Sequence, residues 1–175
     1  MTSSGSRISV EIKARCADLA RVRSILVEAG AVSPGIDRQV DTYFNVPRGR
    51  LKVREGAIEN ALIGYHRPDE RGPKTSAIGL MELTPDGAKD LARVLDAALG
   101  VKQRVVKRRE IFFVENVKFH LDEVEGLGRF VEIEALDREG RENRETLEQQ
   151  ARSWIERLAL SADDFESRSY SDLLG

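Results

Sequence analysis

The chain has 175 residues, 41% hydrophobic and 33% charged, which is enough apolar material for one globular domain and excludes a disordered chain. Lysine and arginine number 28 against 30 aspartates and glutamates, a formal charge of -2, which argues against a general nucleic-acid binder. The one cysteine, Cys16, excludes an internal disulfide framework and suits a reducing cytosol; with no partner for thiolate chemistry it reads as a packing or surface residue.

Residues 1–6 are small and polar, lack a signal-peptide pattern and are expected to be disordered, with a single domain over 7–175. No later apolar run is long enough to span a membrane. Residues 7–15 alternate strictly: Ile8, Val10, Ile12 and Ala14 share one face and Arg7, Ser9, Glu11, Lys13 and Arg15 the other, which predicts a strand. From Asp18 the period becomes helical, with Leu19, Val22, Leu26 and Ala29 as the stripe and Gly30 as the stop. Strands are predicted over 40–46, 50–55 and 61–67, with a turn at 47–49 and a loop over 68–73. Another is predicted over 76–82, weakened by Gly79. Thr84 and Pro85 open a helix that buries Leu91, Val94, Leu95 and Ala98 and ends at Gly100. Strands over 104–114, 117–123 and 129–136 follow, then a helix over 147–158 with Leu147, Ala151, Trp154, Ile155 and Leu158 on its apolar face and a Thr146–Gln149 capping box. The reading is α+β: about eight strands with short connections form an antiparallel sheet that either closes into an eight-stranded β-barrel with flanking helices or stays open.

The polar faces of these strands carry like charges. Arg50, Lys52 and Arg54 alternate with Leu51 and Val53; Lys107 and Arg109 share a face, as do Glu132 and Glu134, and Glu11 shares one with Lys13. Such faces either lie in solvent, where charges guard strand edges, or point into a barrel. Inside a barrel, like charges are costly unless a ligand compensates them. A polyphosphate with a hard cation does so: arginine and lysine neutralise phosphate oxygens, and carboxylates recruit Mg2+ or Mn2+.

The same residues resemble the CYTH family, named for class IV adenylyl cyclase and thiamine triphosphatase. The matching pieces are VEIKAR at 10–15, QVDTYF at 39–44, GRLKVRE at 49–55, YHRPDERGPKTS at 65–76, VKRRE at 106–110, HLDEVEGLGRFVEIE at 120–134 and SYSDLL at 169–174. Each piece is weak by itself; seven in order are specific. GRLKVRE, YHRPD and HLDEVEGLG look most like the class IV cyclase-like branch.

The resemblance implies a closed eight-stranded triphosphate tunnel, a homodimer and cytoplasmic location. It implies metal ligands at Glu11, Asp122, Glu132 and Glu134. Phosphate contacts are implied at Lys13, Lys52, Arg54, Arg67, Lys74, Lys107 and Arg109, with His66 a rival to Arg67. Lys13, Arg54, Lys107 and Asp122 fall at its catalytic positions. The family's first glutamate is Ser9 here, which weakens the case for a second metal ion.

His66 and His120 lack a nucleophile pattern and read as structural or solvent-facing. Tyr43, Phe44 and Tyr65 read as barrel packing, Trp154 as core, and Gly126 and Gly128 as turn residues. The leading function is a phosphorus–oxygen lyase converting ATP to cyclic AMP and pyrophosphate, with Mg2+ or Mn2+. The alternatives are a triphosphate hydrolase acting on tripolyphosphate, thiamine triphosphate or a nucleotide, and a non-catalytic nucleotide or polyphosphate sensor. No nucleic-acid or membrane partner is expected.

Overall fold

The computed structural model describes residues 9–66, 74–75, 77–137, 140 and 142–175. The N-terminal six residues, Arg67 and the 68–73 loop lie outside these.

The strands are β1 (Ser9–Arg15), β2 (Val32–Phe44), β3 (Arg50–Glu55), β4 (Ala61–His66), β5 (Lys74–Thr75), β6 (Ala77–Glu82), β7 (Val101–Val114), β8 (Val117–Val124) and β9 (Gly128–Leu136). The helices are α1 (Leu19–Glu28), α2 (Pro85–Leu99), α3 (Arg144–Arg157) and the short α4 (Tyr170–Leu173). One antiparallel sheet contains every strand, in the order β5-β1-β9-β8-β7-β2-β3-β4-β6.

The antiparallel barrel-type sheet with flanking helices is as expected; its closure is not. The strand that should join the edges is split, with Lys74 and Thr75 opposite β1 and Ala77–Glu82 along β4. No continuous ladder joins the two edges, and the curled sheet is an open half-barrel.

Alternation along the strands separates two environments. The outer face of β1, β8 and β9 contributes Val10, Ile12, Phe119, Leu121, Val131, Ile133 and Ala135 to the main core. Leu19, Val22 and Leu26 of α1, and Leu147, Ala151 and Trp154 of α3, cover that face. Trp154 packs edge-on against Phe119 at 4.8 Å, as a core residue. Helix α2 lays Ala88 against Phe44 and Val53 on the outside of β2 and β3. With helices outside, the charged faces turn inward. One end of the interior is filled by Tyr43, Val105, Val124 and Phe130 packed against Tyr170 of α4.

Local chemistry sets the boundaries. Asp18 and Thr84 cap α1 and α2, and Pro85 takes the first turn of α2. Helix α3 begins earlier than expected: Asn143, not Thr146, is the cap, accepting from the Thr146 amide at 2.9 Å. Strand β2 starts at Val32 rather than 40, because a bulge between Val32 and Gly35 absorbs Pro34 and lets pairing with β7 continue. Cys16 is half-buried and free, and burial raises its thiol pKa, which fits a packing role. Among the described residues no helix is long and apolar enough to cross a membrane.

Candidate active site

The inner face of β2, β3 and β7 forms a knot of cations around one carboxylate. Register places Asp41 opposite Arg54, and Tyr43 opposite Lys52, while β7 flanks β2 on its other side. Asp41 is 1% exposed. It accepts from Lys52 Nζ at 2.7 Å, Lys107 Nζ at 2.6 Å, and Arg54 Nε and Nη2 at 2.8 and 3.1 Å. Burial alone would raise its pKa, but Arg54, Lys107 and Lys52 hold it well below the carboxylate range. Burial, then the neighbouring cations, push Lys107 well below the usual lysine value, and Asp41 opposes them. The Tyr43 hydroxyl accepts from Lys52 at 3.3 Å, so this packing residue also touches the knot.

A second cluster lies on β7, β8 and β9. Arg109 grips Asp122 with two bonds, Nε to Oδ1 at 2.7 Å and Nη2 to Oδ2 at 2.5 Å, and reaches Glu132 Oε2 at 2.8 Å. Tyr170 donates its hydroxyl to Asp122 Oδ2 at 2.8 Å, so both Asp122 oxygens are engaged and the residue orients Arg109. His120 is buried here, not solvent-facing, with Nδ1 3.1 Å from Glu132 Oε2. Burial, with Arg109 and Lys118 beside it, lowers its pKa to about 4.

On β1 and β9 the balance reverses. Glu11 stands opposite Glu134 in register and Lys13 opposite Glu132. Glu134 is raised to about 7 by burial and then by Glu11. Lys13 is held at the C-terminal segment, donating to the Arg168 carbonyl at 2.7 Å with its ammonium 4.3 Å from the Tyr170 ring centre. Ser9 is buried, and its hydroxyl has no hydrogen-bond partner.

Sequence reasoning missed a fourth group. Asp37 accepts from the amides of Ala57, Ile58 and Glu59 at 2.7–3.1 Å. This works because residue 56 is glycine: a Cβ there would lie 2.6 Å from the Asp37 carboxylate. The cap delivers Glu59 into the interior, where it accepts from Arg54 at 3.0 Å, Gln39 at 3.1 Å and Lys118.

The structure thus unites Lys52, Arg54 and Lys107, and separately Arg109, Asp122 and Glu132; Glu11 and Glu134 make a third group, and Lys13 lies opposite Glu132. Lys74 is described as backbone opposite Glu11, Arg67 lies outside the described residues, and His66 is exposed. Among the described residues no three Asp, Glu, His or Cys side chains form a ready metal cage. The donor chemistry still fits a hard cation: Glu11 and Glu134 face each other in register, Glu11 adds to burial in raising the proton affinity of Glu134, and Mg2+ is a cation that completes its shell with water and phosphate.

The CYTH domain model matches residues 7–170. The chain belongs to the CYTH family. It is 29% identical over 175 residues to a Methanocaldococcus jannaschii protein named provisionally as an adenylate cyclase, covering 96% of this chain and 99% of that one. It is 28% identical over 179 residues to the adenylate cyclase CyaB of Aeromonas hydrophila, covering 95% and 88%. The solved structure of a Pyrococcus horikoshii protein superposes with a TM-score of 0.78 at 28% identity, covering 94% and 98%. CYTH is a triphosphate-binding family.

Proposed function

We propose that this CYTH protein is a metal-dependent adenylyl cyclase of the class IV type, converting ATP to cyclic AMP and pyrophosphate. The observation that carries the reading is the division of one interior into a cationic wall and a facing pair of carboxylates, Glu11 and Glu134. Cyclase-named relatives over nearly the full length support it.

Lys52, Arg54, Lys107 and Arg109 hold the phosphates. Each keeps N–H donors beyond those spent on Asp41 and Asp122, since an ammonium has three and a guanidinium five. The internal acids fix these cations in place, so little reorganisation accompanies the reaction. Glu11, Glu132 and Glu134 would hold Mg2+ or Mn2+, which would supply Lewis acidity to the phosphates and to the attacking hydroxyl. The ribose 3′-oxygen attacks the α-phosphorus, the bond from that phosphorus to the β-bridging oxygen breaks, and the hydroxyl proton is released. Lys13, fixed by Arg168 and Tyr170, faces Glu132 and neutralises a phosphate oxygen.

The test is incubation with ATP, and separately with tripolyphosphate, in Mg2+ or Mn2+, with products resolved by chromatography. Cyclic AMP and pyrophosphate, absent in a folded Glu132→Ala variant, is the expected result. ADP or orthophosphate without cyclic AMP would replace the cyclase by a triphosphate hydrolase. Binding without any product would make the chain a sensor, and Ser9→Glu would then ask whether the missing acid is the reason.

A further inference from the structure

Two carboxylates share Arg54, and they stand in different relations to it. A guanidinium has two edges that can grip a pair of oxygens, Nε with Nη2 and Nη1 with Nη2. Asp41 takes the first edge, with Oδ1 2.8 Å from Nε and Oδ2 3.1 Å from Nη2. Glu59 Oε2 accepts from Nη1 at 3.0 Å, on the second edge. The edge left for a two-point grip on phosphate is therefore the one that Glu59 already occupies.

The two acids also differ in freedom. Asp41 belongs to strand β2 and its side chain is 1% exposed, so its neighbours leave it nowhere to turn. Glu59 belongs to the loop between β3 and β4 and its side chain is 24% exposed. Asp37 fixes the backbone of that loop through three amides, which leaves the Glu59 side chain as the part able to swing. Its remaining partners are Gln39 Nε2 at 3.1 Å and the Lys118 ammonium. Burial would raise its pKa, but Lys118 and Arg54 hold it well below the carboxylate range, so it is an anion. Two cations and an amide converging on one anionic group make a donor set that suits a phosphate oxygen equally well.

We propose that Glu59 is a specificity-determining residue, an internal anion that holds Arg54 and Lys118 in the empty protein and is displaced when phosphate takes them. It thereby sets how much anionic charge a ligand must bring. The proposal rests on the triphosphate reading above and adds Glu59 and Lys118 to that site. A single phosphate that takes the second edge of Arg54 exchanges one charge-assisted hydrogen bond for another and gains little. A chain of phosphates that also reaches Lys52 and Lys107 makes new contacts and displaces Glu59. Asp41 stays beneath the cations throughout, so the wall keeps its shape when the loop carboxylate leaves.

The test is calorimetric binding of pyrophosphate and tripolyphosphate in EDTA to the wild type, Glu59→Gln and Asp37→Asn. Glutamine keeps the shape and one acceptor but removes the competing charge. Glu59→Gln should bind both anions roughly tenfold more tightly, the worth of one charge-assisted hydrogen bond. Asp37→Asn should act in the same direction by loosening the loop, and should add nothing further in the Glu59→Gln background, because it works through Glu59. A residue that only braces Arg54 and Lys118 gives the opposite sign. Unchanged or weaker tripolyphosphate binding in the folded variants therefore overturns the proposal and leaves the triphosphate site standing. Should Glu59→Gln not fold, the sign of the change in Asp37→Asn decides. Tripolyphosphate that binds Glu59→Gln and not the wild type is the expected result in its strongest form. Tripolyphosphate that binds none of the proteins overturns both the proposal and the reading it rests on.

Discussion

The interior holds two concentrations of charge that are solved in opposite ways. Around Asp41 the cations Lys52, Arg54 and Lys107 share a buried anion, and every partner is within 3.1 Å. Along β1 and β9, Glu11 and Glu134 face each other, and Glu134 answers by holding its proton to about pH 7. The first region is internally neutralised, so it can remain folded and rigid while spare donors face the tunnel. The second sets two carboxylates face to face, an arrangement that a bound cation would relieve. Sequence alone gave both regions the same problem of like charges on one face; their difference lies in Asp41.

Removing that anion should have the largest effect. Asp41→Ala strands three cations at the tunnel wall, one of them a lysine with no exposed side chain. Breaking a buried ion pair from one side costs about 3–5 kcal/mol, read as a lower urea midpoint at constant m. Saturating tripolyphosphate should recover a large part of it by supplying another anion to the same groups. A loss under about 1 kcal/mol, of surface-pair size, would mean that water already reaches the knot and that the contrast with β1 and β9 is overstated.

The acidic region makes the next prediction, with a defined sign. Glutamate titrates near 4.5 in the unfolded chain, whereas Glu134 titrates at about 7 in the fold. Between those values the folded state retains a proton that the unfolded state has released, so stability falls as pH rises through that window and levels off above it. At about 1.4 kcal/mol per unit the loss is roughly 2–3 kcal/mol for a half-buried group. Denaturant titrations in EDTA should show this decline in the wild type and a flatter profile in Glu134→Gln. At pH 8, Mn2+ or Mg2+ should raise the melting temperature of the wild type more than that of the variant. A wild-type profile flat from pH 4.5 to 7 would remove the case for repulsion between the two carboxylates.

Much of the architecture was legible because period-two alternation survives in β1, β3 and β7–β9, and because Asp18, Thr84 and Pro85 are strong helix signals. The same alternation picked out Lys52, Arg54, Lys107, Arg109, Glu132 and Glu134. Asp41 was hidden for a local reason. Pro34 and Gly35 disguise the start of β2, so the inward row Asp37, Gln39, Asp41 and Tyr43 was never read as one face. Glu59 could not be found by periodicity at all, because it lies in a loop and reaches the interior through the Asp37 cap. Tyr170 lay in a recognised piece, but its bond to a residue 48 positions away is a product of the fold. The open edge has a similar origin: a run of strand-like residues does not say that its first two pair with one neighbour and the rest with another.

Tyr170 offers the smallest effect and the finest division between the two kinds of charge. Tyr170→Phe removes the hydroxyl from Asp122 but keeps the ring beneath Lys13 and against Phe130, 5.0 Å between ring centres. The loss should be about 1 kcal/mol, the net value of one hydrogen bond. Its consequence for metal binding is the informative part. If Asp122 serves the cationic wall by orienting Arg109, its oxygens stay on the guanidinium and Mn2+ affinity is unchanged. If Asp122 belongs with Glu11, Glu132 and Glu134 as a ligand, releasing Oδ2 from the tyrosine should strengthen Mn2+ binding. The two engaged oxygens favour the first outcome. Calorimetry on the variant therefore decides whether this aspartate belongs with the cationic wall or with the facing carboxylates.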